Sequence, residues 1–422
     1  MTVIQDKSYS DFSLLVHDAA NPRRVPVNGT IEVTRRCPLT CSHCYNNLAM
    51  DDFAARAGEL TLEEHKRVID ELAELGCLWL LYTGGEIFAR RDFLDIYEYA
   101  RRRGFLITLF TNATLITEKI ADRLAALPPF DIEVTLYGRT APVYEALTGI
   151  PGSWRKAMRG IELILDRKLP LKLKTVAVKV NVHELDAMRQ FADELGVEFK
   201  FDSMINPRID CSASPLETRL SPVDIVALDV PDPVRVADWR RLATEQAPSP
   251  PAPGETPQVY ECGGGVNSFA IDPYGGLTIC VLSHVDKYDV RSGSVREGWN
   301  DFLHKVRTRP ATRTTKCTAC ALRSLCGSCA ANGELENGDP EKPVDFLCRT
   351  AHLRAEVFEV PVPAHGDCEY CPDSPGRASI LAMAEEVRSI AGKPIEPPAG
   401  LPAVSSGCAS GTCGGCTLPI PK

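Results

Sequence analysis

The sequence has no long apolar run. Its longest, Cys77 to Tyr82, falls far short of the ~18 residues that cross a bilayer, which excludes a helical membrane span. Nor does its start, MTVIQDKSYSDFSLL, carry a cationic segment followed by an apolar one. No secretion signal is therefore expected, and the chain reads as cytoplasmic. Positive charge is not in excess: 47 basic side chains stand against 56 acidic ones, a formal net charge of −9. Bulk electrostatics then oppose nucleic-acid binding, so neither nucleic acid nor membrane is an expected partner. No repeat of fixed period is evident. What remains is 422 residues, 44% hydrophobic and 24% charged, an ordinary globular composition with room for two or three domains.

Cysteine is what the chain has in abundance. There are seventeen, an odd number, which argues against a fully paired disulfide scaffold. In a reducing compartment, clustered cysteines are more often metal ligands or catalytic groups. They fall at 37, 41 and 44, singly at 77 and 211, then at 262, 280, 317, 320, 326, 329 and 348, and finally at 368, 371, 408, 413 and 416.

From Val27 to about Asp210, apolar runs alternate with amphipathic stretches. Strands are expected at Thr30–Val33, Leu78–Tyr82, Phe105–Phe110, Ile132–Leu136, Leu171–Val180 and Glu198–Phe201. Helices are expected at Thr61–Leu75, Asp92–Arg103, Thr117–Leu127, Trp154–Asp166 and His183–Leu195. Thr61 and Glu64 form a capping box. Such alternation means crossover connections and a parallel sheet in an α/β fold, as an open sheet or a barrel. Residues 211–257 are poor in pattern and end in a Pro-rich linker, APSPPAPGETP. Residues 258–358 hold seven cysteines and one convincing strand pair, Val266–Ile271 with Leu277–Val281 about a DPYGG turn. So little apolar core implies that metal holds this part together. Residues 359–422 carry a helix near Ala378–Ile390 and a cysteine-bearing tail, and residues 1–26 are a lead-in. The basic stretch Lys168 to Lys179 reads as a solvated rim, from which Lys172 or Lys174 could reach a carboxylate.

Cys37-Pro-Leu-Thr-Cys41-Ser-His-Cys44 directly follows the first strand. Three thiolates on one short loop can cap three corners of a cubane and leave one iron open, the mark of a catalytic rather than a structural site. A zinc knuckle borrowing a fourth ligand is the bland alternative. Thr83-Gly84-Gly85-Glu86 closes the second strand. Two glycines let the backbone approach a ligand, and Glu86 can pair an ammonium, although an ordinary strand-to-helix turn has the same letters. Asn112 ends the third strand and Thr135 sits in the fourth.

These residues together resemble the radical S-adenosylmethionine superfamily. The resemblance implies a partial (β/α)6 barrel with a [4Fe-4S] cluster on Cys37, Cys41 and Cys44. The amine and carboxylate of the methionine part would chelate the fourth iron, with Gly84, Gly85, Glu86, Asn112 and Thr135 about the cofactor. It implies reductive cleavage of the sulfonium to a 5′-deoxyadenosyl radical that abstracts hydrogen from a substrate. Ile87 stands where the family usually has Pro. No catalytic residue beyond this cluster is assignable.

Cys317-x2-Cys320-x5-Cys326-x2-Cys329, with Cys348 after it and Cys262, Gly275 and Cys280 before it, resembles the small SPASM domain of such enzymes. That resemblance implies two auxiliary iron–sulfur clusters, one on Cys317, Cys320, Cys326 and Cys348, the other on Cys262, Cys280 and Cys329. The family usually has three residues, not two, between the last pair. Two zinc sites are the alternative. The inner cluster lacks a fourth cysteine, for which Cys211 and the tail are candidates. Cys77 reads as a core thiol; Cys368, Cys371, Cys408, Cys413 and Cys416 fall outside the pattern.

The expected function is a radical enzyme acting on a peptide, with an electron donor such as flavodoxin or ferredoxin. The alternatives are a radical oxidoreductase on a sugar or tetrapyrrole, and a non-catalytic iron–sulfur electron carrier. Only 26 residues precede the first strand, too few for a separate peptide-binding domain, so a leader would bind a partner protein or the barrel rim.

Overall fold

The computed structural model describes residues 8–245 and 256–401; Cys408, Cys413 and Cys416 lie outside them. Nine strands form one sheet in the order β6-β5-β4-β3-β2-β1-β7-β8-β9. The first six are β1 (Asn28–Glu32), β2 (Trp79–Thr83), β3 (Leu106–Thr111), β4 (Asp131–Thr135), β5 (Leu171–Val176) and β6 (Glu198–Asp202). Each pairs with its neighbour in parallel, as the alternating pattern requires. The expected helices lie between them at Leu62–Glu74, Phe93–Arg102, Glu118–Ala126, Ser153–Asp166 and Leu185–Leu195. The capping box is present: Thr61 Oγ1 accepts from the Glu64 amide at 3.2 Å, and Glu64 accepts from the Thr61 amide at 2.6 Å.

Register divides the sheet into two unlike faces, because side chains alternate along each strand. Ile31, Leu80, Tyr82, Ile107, Leu109, Ile132, Val134 and Leu173 share one face. All are buried, in a single apolar core with residues of the five helices. The other face carries Glu32, Thr83, Phe110, Glu133, Thr135, Lys174 and Lys200. It is the inner, polar face. Near its amino end a helix not expected from the pattern, Tyr9–Ala20, sets His17 against Trp79 at 5.4 Å and Phe12 against it at 6.3 Å.

The expected hairpin forms as β7 (Ser268–Ile271) and β8 (Gly276–Thr278), antiparallel, followed by β9 (Tyr288–Asp289). It is not held by metal alone. β7 pairs in parallel with β1, Asn28 against Ser268 and Ile31 against Ile271, and so continues the main sheet. Phe269, Ile271, Leu277, Trp299 and Leu303 are buried in the same core as β1 to β5. Residues 211–257, poor in pattern, contain two helices, Pro222–Asp229 and Pro233–Glu245. The first packs Val223 and Val226 against Leu353, Phe358, Ala384 and Val387, from the helices Asp345–Val357 and Arg377–Ile390 and the residue after the former.

Candidate metal and cofactor site

The segment after β1 turns back over the carboxyl end of the sheet and carries Cys37, Cys41 and Cys44. Cys37 and Cys41 are each 8% exposed. Thr40 and Ser42 donate to the carbonyls of Thr148 and Leu147, which pin the loop from one side. Arg208, after β6, pins it from the other: its guanidinium donates to the Cys44 and Asn47 carbonyls at 3.1 and 2.9 Å. At the loop's entry, the buried Glu59 accepts from Arg36 at 2.9 and 3.0 Å and from Thr34 Oγ1 at 2.5 Å.

Two donors point at the first sulfur: the Leu39 amide at 3.4 Å and Asn112 Nδ2 at 3.5 Å from Cys37 Sγ. Burial raises the pKa of all three thiols, and for Cys37 and Cys41 the neighbouring thiols raise it further. Three sulfurs on one loop, two buried and Cys44 half-buried, with hydrogen-bond donors aimed at one of them, suit metal cations, which would take them as thiolates. The residues therefore fit a three-cysteine iron–sulfur cluster. His43 is half-buried against Tyr137, ring centroids 5.3 Å apart, with its Nδ1 buried and unpartnered, and burial depresses its pKa to about 4, so it stays neutral.

β2 and β3 end beside this loop. Gly84 has φ +141°, and a Cβ there would strike the Thr34 carbonyl; one at Gly85 would strike those of Arg35 and Arg36. The Gly85 and Glu86 amides donate to the Thr34 and Arg36 carbonyls at 2.7 and 3.0 Å. The two glycines thus let the β2 tip lie against the backbone that leads into Cys37. Glu86 is wholly buried. Its carboxylate accepts from Thr111 Oγ1 at 2.7 Å and from the Asn112 and Phe88 amides at 2.8 and 3.2 Å. Burial still wins over those donors and pushes its pKa up to about 7. Thr135, half-buried, stands on the inner face paired with Lys174.

Lys174 is not a solvated rim residue. Its side chain is 17% exposed, 3.1 Å from Glu133, which also holds Lys200 at 2.7 Å. Burial lowers its pKa to about 7. Lys172 pairs with Asp131 and Glu198 at 2.9 and 3.1 Å. The inner face is thus a ladder of paired charges.

A cavity of about 290 Å³ is lined by Cys262, Cys317, Cys320, Cys326, Cys329 and Cys348, six of the seven cysteines of the second field. Burial raises the pKa of the seventh, Cys280, and the nearby Cys329 and Cys262 raise it further. Cys317, Cys326 and Cys320 interact in the same way. Cys211 is an exposed loop thiol at φ +65°, 3.7 Å from His284 Nε2. Cys77 is buried two residues before β2, as a core thiol is. Sequence spacing missed Arg208 and Glu59, whose partners lie in another part of the chain, and the pair His352 and His365, which lines the same cavity.

Residues 31–192 match the family model described as the Radical SAM superfamily. The chain is 27% identical over 325 residues to the AdoMet-dependent heme synthase of Methanosarcina barkeri, covering 73% of this chain and 92% of that protein. It is 26% identical over 350 residues to the PqqA peptide cyclase of Bradyrhizobium diazoefficiens, covering 79% and 90%. Among solved structures, SuiB of Streptococcus suis bound to S-adenosylmethionine superposes with a TM-score of 0.59 at 16% identity, covering 82% of this chain and 83% of that one.

Proposed function

We propose that this chain, a radical S-adenosylmethionine protein by its fold and by the match of residues 31–192, is an enzyme that removes hydrogen from a peptide to crosslink or oxidise it. The observation that carries the reading is a trio of thiols on one loop at the carboxyl end of a parallel sheet, two of them buried and Cys44 half-buried, with Asn112 aimed at Cys37. Cys37, Cys41 and Cys44 would hold the [4Fe-4S] cluster. When bound, cluster and S-adenosylmethionine supply the electron and the adenosyl radical that abstracts hydrogen. The chain's own part is placement. Gly84 and Gly85 bring the β2 tip against the loop, and Glu86 fixes the β3 tip through Thr111 and Asn112. Glu86, Asn112 and Thr135 face the cofactor in this reading.

Two auxiliary clusters belong to the same proposal, on Cys317, Cys320, Cys326 and Cys348 and on Cys262, Cys280 and Cys329. So do a flavodoxin- or ferredoxin-type donor and the division into a barrel at 27–210, a connector at 211–257, a SPASM domain at 258–358 and an extension at 359–422. The peptide substrate is supported by relatives named for it: the PqqA cyclase, and SuiB, also solved with its precursor peptide SuiA. The heme synthase relative supports a second reading, a tetrapyrrole.

The test is anaerobic turnover with a strong reductant. 5′-Deoxyadenosine should form, and a variant with Cys37, Cys41 and Cys44 all changed to Ala should form none while keeping its remaining iron. Cleavage persisting in that variant would place the active cluster elsewhere. Product formed from a peptide encoded beside the gene, and none from an iron tetrapyrrole, decides the substrate for the first reading; the reverse decides for the second.

A further inference from the structure

Four side chains outside the cysteine pattern close on one point. His352 and His365, with Cys368 and Cys371, offer ligand atoms that all lie within 4.8 Å of one another, and all four residues are buried. Cys368 Sγ is 3.4 Å from His352 Nε2, and Cys371 Sγ is 3.8 Å from His365 Nε2. Bonds of ~2.3 Å to sulfur and ~2.0 Å to nitrogen at tetrahedral angles give edges of about 3.5 Å between unlike ligands. The observed edges are of that size. A cubane spreads its ligands around a cage of iron and sulfide, whereas four atoms this close leave room for one ion.

The neighbouring hydrogen bonds agree. His352 Nδ1 lies 2.8 Å from the Cys348 carbonyl, so it donates there and leaves Nε2 facing Cys368. His365 Nδ1 lies 2.9 Å from the Pro363 carbonyl, and a donation there leaves Nε2, 3.8 Å from Cys371 Sγ, as the ligand atom. A ring nitrogen fixed on a backbone carbonyl is how metal-ligating histidines are oriented. The knuckle Cys368-Glu-Tyr-Cys371 is a tight turn, with the Cys371 amide donating to the Cys368 carbonyl at 3.4 Å.

We propose that His352, His365, Cys368 and Cys371 form a tetrahedral site for one divalent ion of the zinc class, separate from every iron–sulfur cluster. Binding releases the two thiol protons. Two thiolates and two neutral imidazoles then leave a site of no net charge, which burial tolerates. The fourfold closed ligand set leaves no open position, so the site is structural. Its place gives it a task. His352 stands one turn after Cys348 on the helix Asp345–Val357, and the knuckle leads into the helix Arg377–Ile390. Lys316, beside Cys317, reaches Glu369 of the knuckle at 2.7 Å. The ion ties the helix Arg377–Ile390 to the helix that bears Cys348.

The test measures zinc and iron in the purified full chain and in a double variant, Cys368→Ser with Cys371→Ser. Close to one zinc per chain is expected, falling to none in the variant with iron unchanged. Zinc absent from the wild-type chain, or iron lost from the variant in place of zinc, overturns the proposal. Should the variant fail to fold, cobalt offered to the metal-stripped full chain decides. A tetrahedral spectrum with two thiolate ligands, lost in His365→Ala, supports the site; an octahedral spectrum refutes it.

Discussion

Glu86 is a wholly buried carboxyl whose pKa is set first by burial, with three hydrogen bonds working against it. Its ordinary value of 4.5 is raised to about 7. Between those values the folded chain keeps a proton that the unfolded chain has released, so stability falls as pH rises across that window. Thermal melts of the cluster-free protein should show this fall, and Glu86→Gln should flatten it. An ammonium favours the ionised form, so affinity for S-adenosylmethionine should rise from about pH 6 to about pH 8. A hydrogen bond to a charged group contributes ~1.5–3 kcal/mol, so Glu86→Gln should weaken binding roughly ten-fold or more and remove that slope. Calorimetric titration at several pH values measures both. An affinity that neither varies with pH nor drops in the variant would leave Glu86 as a brace between the β2 and β3 tips. The candidate residues were legible where chemistry recurs at short spacing, as in Cys37, Cys41, Cys44 and Glu86. Arg208 was not, because its bond to Cys44 spans 164 residues and no local pattern marks it. His352 and His365 lie only 16 and 6 residues from Cys368 and Cys371, but their spacing follows no recurrent motif, and the turn that brings the four together exists only in the fold.

The six strands and five long helices of residues 27–210 were legible, since strands buried on one face and helices with one apolar stripe leave strong periodicities; the short helices Phe53–Gly58 and Ala141–Thr148 were not. Nor were the helices Pro222–Asp229 and Pro233–Glu245. That stretch is poor in periodic pattern, yet a proline occupies the first position of each helix, where its fixed φ starts a helix and its missing N–H costs nothing. The thiol loop illustrates a further kind of hidden support. Its entry is held by Glu59, which takes both prongs of Arg36 and the Thr34 hydroxyl, all buried. Glu59→Gln keeps the shape and removes the charge, leaving Arg36 buried beside a neutral amide. Breaking a buried ion pair on one side costs about 3–5 kcal/mol. Urea unfolding should show a loss of that order, and iron retention at the three-cysteine loop should fall with it. A variant as stable as the wild type would mean that water or Asp92, through Arg90, compensates.

At the scale of the molecule, the ten mapped cysteines predict three cubanes and so about twelve irons per chain after anaerobic reconstitution. Iron near four, with zinc making up the difference, would remove the auxiliary clusters from the account. The mutual dependence of the parts is the less expected property. The turn of the β7–β8 hairpin was legible as DPYGG, but its pairing with β1 was not, because parallel pairing across some 240 residues leaves no local trace. That pairing makes the cysteine-rich part an extension of the barrel's own sheet. Phe269, Ile271, Leu277 and Trp299 are buried at 3% exposure or less in the core that β1 to β5 also fill. A chain cut at residue 257 would bare the hydrogen-bonding edge of β1 and the apolar surface those four side chains cover. Burying one large side chain contributes ~1.5–3 kcal/mol, so four of them exceed much of the ~5–15 kcal/mol by which a domain is stable. The fragment 1–257 should therefore aggregate or melt without cooperativity, because an unpaired edge strand invites association. Size-exclusion chromatography with calorimetry checks this. A monomeric fragment that melts cooperatively and binds close to four irons would show instead that the barrel is an independent unit and that the hairpin is only docked upon it.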